Sequence, residues 1–402
     1  MTNEPPVPDP GASRSLAAKL RDRYGCDLDP RIDLTSQPRP ATPPPAASSS
    51  KPPSSSGGTG EVLHRLGERS GAASRYRVAG EIARGGMGAI LEVFDEDLRR
   101  RLAMKVILER GTPSGSDGST RVDPTTLARF LEEAQVTGQL DHPGIVPVHE
   151  LGLDGSGRVY FTMRLVHGRD LESIFDLVAK GADGWTMARA LGVLLKVCEA
   201  TAYAHDKGVV HRDLKPANVM VGRFGEVYVM DWGLARVRGR TRPAPAPAAP
   251  REPAETTAAE ATAAAAEPVA TDRKDAASST VGTELHTMDG DVLGTPSYMP
   301  PEQARGDTER LDDRADVYAV GAMLYRLLSG RAPYAEPGER ATAATLWRRV
   351  MAGPPTDLTS LAPDAPGELV AICDKAMARD PAARYPGMQA LADELRAFLE
   401  GR

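Results

Sequence analysis

Between Thr241 and Ala270 the chain carries 13 alanines and 6 prolines in 30 positions, with no aromatic residue and Val269 as the only branched aliphatic. Such a stretch buries too little apolar surface to offset the entropy of ordering it, and its early prolines forbid a continuous helix. We read it as a disordered insertion covering about 239–285. Whatever folds must therefore be assembled from segments on both sides of it. A second biased stretch is N-terminal: residues 1–60 hold twelve prolines and close on a Ser/Pro/Gly run from Ala46 to Gly60. Residues 1–75 are expected to be a disordered tail, with helical spacing only at Leu16–Tyr24 and Glu61–Glu68. Removing tail and insertion leaves roughly 280 residues, the size of one large domain, although 402 residues alone would imply two or three.

Composition then excludes several classes. Forty-nine basic against 55 acidic residues give a net charge of −6 and a pI near 5.8, so nothing in the totals argues for nucleic acid or an anionic membrane as partner. Cys26, Cys198 and Cys373 are too few and too scattered for a disulfide framework or a metal knuckle, which fits a reducing, cytoplasmic setting. No run reaches the roughly 18 uncharged apolar residues of a membrane span, and the N-terminus lacks the basic start and apolar core of a signal peptide.

The hydrophobic period changes once along the foldable part. From Tyr76 to Leu108 it is short and strand-like, and Val146–His149 and Val159–Met163 read as two further strands. Beyond Thr186 it is helical: Leu191, Leu194, Leu195, Cys198 and Ala202 mark one face of a helix stopping at Gly208, a suitable left-handed cap. A small β-rich unit followed by a larger helical one is a two-lobed α+β layout.

Three groups carry chemistry. Ile82-Ala83-Arg84-Gly85-Gly86-Met87-Gly88-Ala89-Ile90 places glycines between apolar runs, where backbone N–H groups can approach phosphate oxygens; a plain hairpin turn is the competing reading. Lys105 sits among Val106, Ile107 and Leu108, and a charge there must be paired. Glu133, on a helix expected to start near Pro124, is the best partner, against the alternative of a solvated carboxylate. The third group is His211-Arg212-Asp213-Leu214-Lys215-Pro216-Ala217-Asn218, followed by a hairpin through Gly222–Gly225 and then Asp231-Trp232-Gly233.

Eight positions of defined type followed by strand, turn, strand and a second acid resemble the catalytic loop and metal-binding triplet of protein kinases, specifically the eukaryotic-like serine/threonine kinases of bacteria. The resemblance covers nearly all of Tyr76–Leu399 and implies a kinase domain over 76–402, with an N-lobe at 76–165 and a C-lobe at 166–402. It implies ATP and Mg²⁺ as cofactors, protein Ser/Thr hydroxyls as acceptors, and a signalling role. Asp213 would orient the acceptor hydroxyl and take its proton, and Lys215 would contact the γ-phosphate. Asn218 and Asp231 would hold metal, Lys105 held by Glu133 would reach the α/β-phosphates, and the 82–90 loop would cover them. Arg164, Leu165 and Val166 would form the adenine hinge, with Met163 bounding the back pocket.

Downstream, Gly294-Thr295-Pro296-Ser297-Tyr298-Met299-Pro300-Pro301-Glu302 matches the end of the family's activation segment, with Glu302 expected to pair with Arg384. Asp316 fits the acid that anchors the catalytic loop from beneath; a helix N-cap is its plainer reading, and both could hold together. Ala83 for glycine, Trp232 for Phe and Pro300 for Ala depart from the family pattern without touching a catalytic group. The larger departure is length, because Asp231–Glu302 spans 72 positions. Arg212 before the catalytic Asp invites an anion, so Thr287 is the expected phosphorylation site, with Thr280 and Thr283 behind it. His142 and His149 lack partners for a zinc site; His142-Pro143 fits a turn. A nucleotide-binding pseudokinase and a small-molecule phosphotransferase are the competing readings. The complete set Lys105, Glu133, Asp213, Asn218 and Asp231 argues against the first, and Lys215-Pro216 with the intact Gly294–Glu302 segment against the second.

Overall fold

The computed structural model describes residues 75–85, 88–108, 122, 124–237, 295–307 and 311–402. Residues 1–74, Gly86, Met87, the insertion with Thr280, Thr283 and Thr287, and Gly294 lie outside them.

The small lobe is a sheet of β1 (Tyr76–Arg84), β2 (Gly88–Asp95), β3 (Arg100–Ile107), β4 (Val148–Leu153) and β5 (Val159–Arg164), with α1 (Pro124–Gln139) between β3 and β4. All pairs are antiparallel, in the order β1-β2-β3-β5-β4. β3 is buried on both faces, and the two-residue period of a strand sorts its side chains. Leu102, Met104 and Val106 pack with Tyr76, Val93 and Tyr160 on one side. Ala103 and Ile107 pack with Leu127, Phe130, Leu131 and Ala134 of α1 on the other. Lys105 shares the parity of Ala103 and Ile107, which turns it toward α1.

The two edges of this sheet meet through side chains. Arg75 donates from Nε and Nη2 to Asp95 (2.9 and 2.8 Å) and from Nη1 to Glu150 Oε2 (3.2 Å). The Tyr76 hydroxyl also donates to Glu150, whose second oxygen accepts from the Tyr160 hydroxyl at 3.3 Å. Arg75 therefore belongs to the folded unit, one residue ahead of the boundary expected from composition. β4 also departs from expectation. It begins at Val148 rather than Val146 and runs to Leu153, because Pro147 has no N–H for a ladder and Ile145 N donates to His142 O (2.9 Å) in a turn.

The large lobe runs through β6 (Gly168–Asp170), α2 (Leu171–Lys180), α3 (Met187–Asp206), β7 (Val209–Val210), β8 (Val219–Gly222), β9 (Val227–Val229) and β10 (Arg236–Val237). It continues through α4 (Pro301–Ala304), α5 (Arg314–Ser329), α6 (Ala343–Ala352), α7 (Leu358–Leu361), α8 (Gly367–Ala376) and α9 (Met388–Leu399). Thr186 Oγ1 caps α3 by accepting from Arg189 N (3.2 Å), and the chain leaves it at Gly208 with φ +75°. Leu191, Leu194 and Cys198 on its inner face are fully buried. α5 is buried at every position from Ala315 to Leu327, as its nearly unbroken apolar sequence requires. These helices form the main core with β8 and β9, completing the two-lobed α+β layout.

Candidate active site

Lys105 and Glu133 come together as the strand parity dictates. Lys105 Nζ lies 2.6 and 2.7 Å from the two Glu133 oxygens, and both side chains are buried. Glu133 stands on α1 in the stripe of Phe130 and Thr137, and the Thr137 hydroxyl donates to its backbone carbonyl (2.7 Å). Asp231 Oδ1 is 3.8 Å from the same ammonium. Burial alone would lower the Lys105 pKa, but Glu133 and Asp231 together hold it above its ordinary value.

Asp213 occupies the loop after β7. Its Oδ2 accepts from Lys215 Nζ (3.0 Å) and from Asn218 Nδ2 (3.2 Å), and Asn218 Nδ2 also donates to the Asp213 carbonyl (2.8 Å). The Asn218 amide nitrogen is thereby committed to Asp213. Burial raises the Asp213 carboxyl above its ordinary value against the pull of Lys215. For Asp231, whose side chain is about half open to solvent, partial desolvation pushes upward, yet Lys105, His211 and Lys215 outweigh it and hold the group below the usual range.

The loop is held in a costly shape. Arg212 (φ 67°) and Asp231 (φ 59°) are left-handed without being glycine, a conformation costing about 1–2 kcal/mol for each. Arg212 is gripped on both sides of its peptide: its N–H donates to Asp316 Oδ1 (2.8 Å) and its carbonyl accepts from Gln303 Nε2 (2.9 Å). Asp316 Oδ2 further accepts from His211 N and from His205 Nε2, both at 2.8 Å. Burial alone would raise this carboxyl, but those hydrogen bonds and the nearby histidines hold it below the usual range. The anchoring role expected of Asp316 is present. The N-cap reading is not, because α5 starts at Arg314 with Asp313 ahead of it. Gln303 had no sequence signal beyond standing next to Glu302.

Trp232 is almost fully buried. Its indole N–H donates to Val229 O (3.4 Å), and its ring centre lies 4.5 Å from that of His211, whose Nε2 donates to Met230 O (3.0 Å). Glu302 takes both terminal nitrogens of Arg384 (2.7 and 2.8 Å), as expected; Arg384 is sealed from solvent and also donates to Ala378 O and Arg314 O. His142 serves a turn, its Nδ1 accepting from Gly144 N (3.0 Å).

In the glycine-rich segment, Gly85 N donates to Gly88 O (2.9 Å). Gly88 has a reason the sequence did not show: a Cβ there would sit 2.6 Å from Val106 O on the paired strand. Ile82 is about half exposed, Ala89 is buried, Ile90 packs against the α1 cluster, and Arg84 is forked onto Glu81 (2.9 and 2.6 Å). At the hinge, Met163 is buried and Leu165 and Val166 pack on the same cluster. The Arg164 side chain is exposed and donates from Nη1 to the Tyr228 hydroxyl (2.5 Å).

The chain matches a family model described as the protein kinase domain over residues 76–252 and 277–395. It is 31% identical over 337 residues to the serine/threonine-protein kinase PknD of Protochlamydia amoebophila, covering 81% of this chain and 30% of that protein. It is 33% identical over 327 residues to the probable serine/threonine-protein kinase CE0033 of Corynebacterium efficiens, covering 80% and 41%. The chain thus spans well under half the length of these relatives. The crystal structure of the Mycobacterium tuberculosis PknI kinase domain aligns with a TM-score of 0.49 at 22% identity, covering 81% of this chain and 97% of that one.

Proposed function

The chain belongs to the protein kinase family, and from that membership we propose that it transfers the γ-phosphoryl group of ATP to serine or threonine hydroxyls of proteins. The observation that carries this reading is the convergence of Lys105, Glu133, Asp213, Asn218 and Asp231, with the Lys105 ammonium 2.6 Å from Glu133 and 3.8 Å from Asp231. Phosphoryl transfer needs little covalent help from a protein and much positioning and charge neutralisation. Lys105, kept charged and aimed by Glu133, neutralises the α/β-phosphates. Asp213 has Oδ2 occupied by Lys215 and Asn218, which leaves Oδ1 to accept the proton of the acceptor hydroxyl. The acceptor oxygen then bonds to the γ-phosphorus as the bond to the ADP oxygen breaks. The Ile82–Ile90 turn roofs the nucleotide, with the Ile82 and Ile90 side chains against the base and the Arg164 and Val166 backbone at its edge.

The residues fit Mg²⁺, which prefers hard oxygen donors and completes its shell from phosphate and water. Asn218 directs its amide nitrogen at Asp213, freeing Oδ1, and the Asp231 carboxylate is about half exposed. Among the described residues no group of three or more His, Cys, Asp or Glu forms a metal cage, so the protein's share is these two ligands. When bound, the ion would supply positive charge to neutralise the phosphates, with Asn218 and Asp231 as the residues that would hold it.

Among the described residues no helix is long and apolar enough to cross a membrane. A cytoplasmic setting is part of the same proposal, supported by the free, buried thiols of Cys198 and Cys373. So is a signalling role with autophosphorylation at Thr287, for which Arg212 and Arg236, the latter strand-paired to Val210, supply positive charge. Phosphopeptide mapping after incubation with ATP and Mg²⁺ tests it, and phosphate on none of Thr280, Thr283 and Thr287 overturns it. The activity itself is tested by radiolabel transfer from ATP to a generic basic protein and to the chain. Asp213→Asn is expected to lose several kcal/mol of barrier lowering, about a thousandfold in rate. Equal transfer by both proteins would remove Asp213 from its role.

A further inference from the structure

Helix α5 carries one cation within its buried run. Arg326 is 9% exposed, and a guanidinium so placed requires anions. It finds two on α2: Nε donates to Glu172 Oε1 (2.9 Å) and Nη2 to Asp176 Oδ1 (2.6 Å). Glu172 and Asp176 stand one helical turn apart, so a single fork meets both. The other oxygen of Glu172 accepts from the Tyr298 hydroxyl at 3.3 Å. Tyr298 closes the 3₁₀ turn Thr295–Tyr298 and, with Arg212, Asp213, Leu214, Asp316 and Ala319, lines a small void beneath the loop that bears Asp213. Burial and the neighbouring carboxylate hold the Tyr298 phenol well above its ordinary pKa, so it remains a donor throughout the working range.

α5 therefore touches the site twice. Asp316 near its start fixes the loop that bears Asp213, and Arg326 near its end fixes α2 and, through Glu172, the segment that bears Tyr298. We infer that the Arg326–Glu172–Tyr298 chain sets the acceptor-facing wall of the site, with Glu172 as a positioning residue for the protein substrate rather than for the nucleotide. This rests on the kinase reading above. Lys105, Glu133 and the glycine loop take no part in the chain, so its loss is felt by one substrate and not the other.

The test is steady-state kinetics of the full chain with a basic peptide acceptor, alongside thermal melting. Glu172→Gln keeps the shape and removes the charge that Arg326 and Tyr298 share. It is expected to raise the peptide KM about five- to tenfold while leaving the ATP KM unchanged. Tyr298→Phe, which removes only the hydroxyl, is expected to shift the peptide KM in the same direction by less, and it serves if Glu172→Gln does not fold. A peptide KM within about twofold of the parent in both variants overturns the inference. So does a parallel loss toward peptide and ATP that follows a lowered melting temperature, which would mean general loosening. A parent chain that transfers no phosphate removes the kinase reading itself, whereas an active parent with unmoved variants removes only this one.

Discussion

Replacing Asp316 by Asn tests how the catalytic loop is held. The carboxylate accepts three hydrogen bonds on two oxygens, from Arg212 N on one and from His211 N and His205 Nε2 on the other. An amide of the same size has one acceptor oxygen. If that oxygen faces His211, the NH₂ group meets the Arg212 N–H, and if it faces Arg212, the NH₂ meets the His211 N–H. Either way a buried donor is left facing a donor, at about 1–3 kcal/mol, and a charged acceptor is lost besides. A total of about 2–4 kcal/mol is expected, a large share of the roughly 5–15 kcal/mol that stabilises a typical domain. Urea unfolding followed by circular dichroism reads it as a lower midpoint with unchanged slope. The sign of the pH dependence follows from the depressed pKa. Asp316 stabilises the fold above its unfolded value of about 4, and the contribution disappears as pH falls through the lower folded value. The variant should therefore lose less stability than the parent on acidification. Because Arg212 leaves its strained φ once released, kcat should fall by about a hundredfold, the cost of misplacing a catalytic group by an ångström, with the ATP KM unchanged. A destabilisation below about 0.5 kcal/mol, the size of an ordinary surface substitution, would refute the anchoring argument.

Glu133→Gln leaves the buried Lys105 with only the more distant Asp231, at 3.8 Å, as its anion. The ATP KM should rise and kcat should fall by at least about tenfold, and unaltered kinetics would detach the pair from nucleotide binding. Glu302→Ala leaves the sealed Arg384 cation with backbone carbonyls and the Tyr318 ring but no anion. It should cost about 3–5 kcal/mol, most of it recovered in Glu302→Ala/Arg384→Met, and a double variant no more stable than the single one contradicts this in denaturant titration. Trp232→Phe removes the indole bond to Val229 and part of a buried ring, at about 1–3 kcal/mol by the same titration, whereas an unmoved midpoint would show that the ring is not packed as described.

What could be read in the chain depended on how locally its cause was written. Asp213, Lys215 and Asn218 lie within six positions, so their spacing alone brings them together. The Lys105–Glu133 pair was legible for a physical reason, since a lysine in an apolar strand requires an acid. Asp316 was half legible, because the sequence shows an acid opening an apolar helix but not that the helix begins two residues earlier. The Arg326–Glu172–Tyr298 chain was not, as its members stand 154 and 126 residues apart and each resembles an ordinary surface group. Arg75 was read as tail because nothing in composition separates one arginine from the serines before it. Gly88 reads from the sequence as part of a phosphate cradle, and the structure adds a constraint of another kind, the close approach of Val106 O on the next strand.

The ties of Arg75 and Tyr76 to Asp95 and Glu150 also fix where force enters the small lobe. Tension on the chain ahead of residue 75 is shared, at the very start of β1, with β2 through the fork on Asp95 and with β4 through Glu150. Cutting Arg75 and Glu150 would leave β1 to carry that load alone.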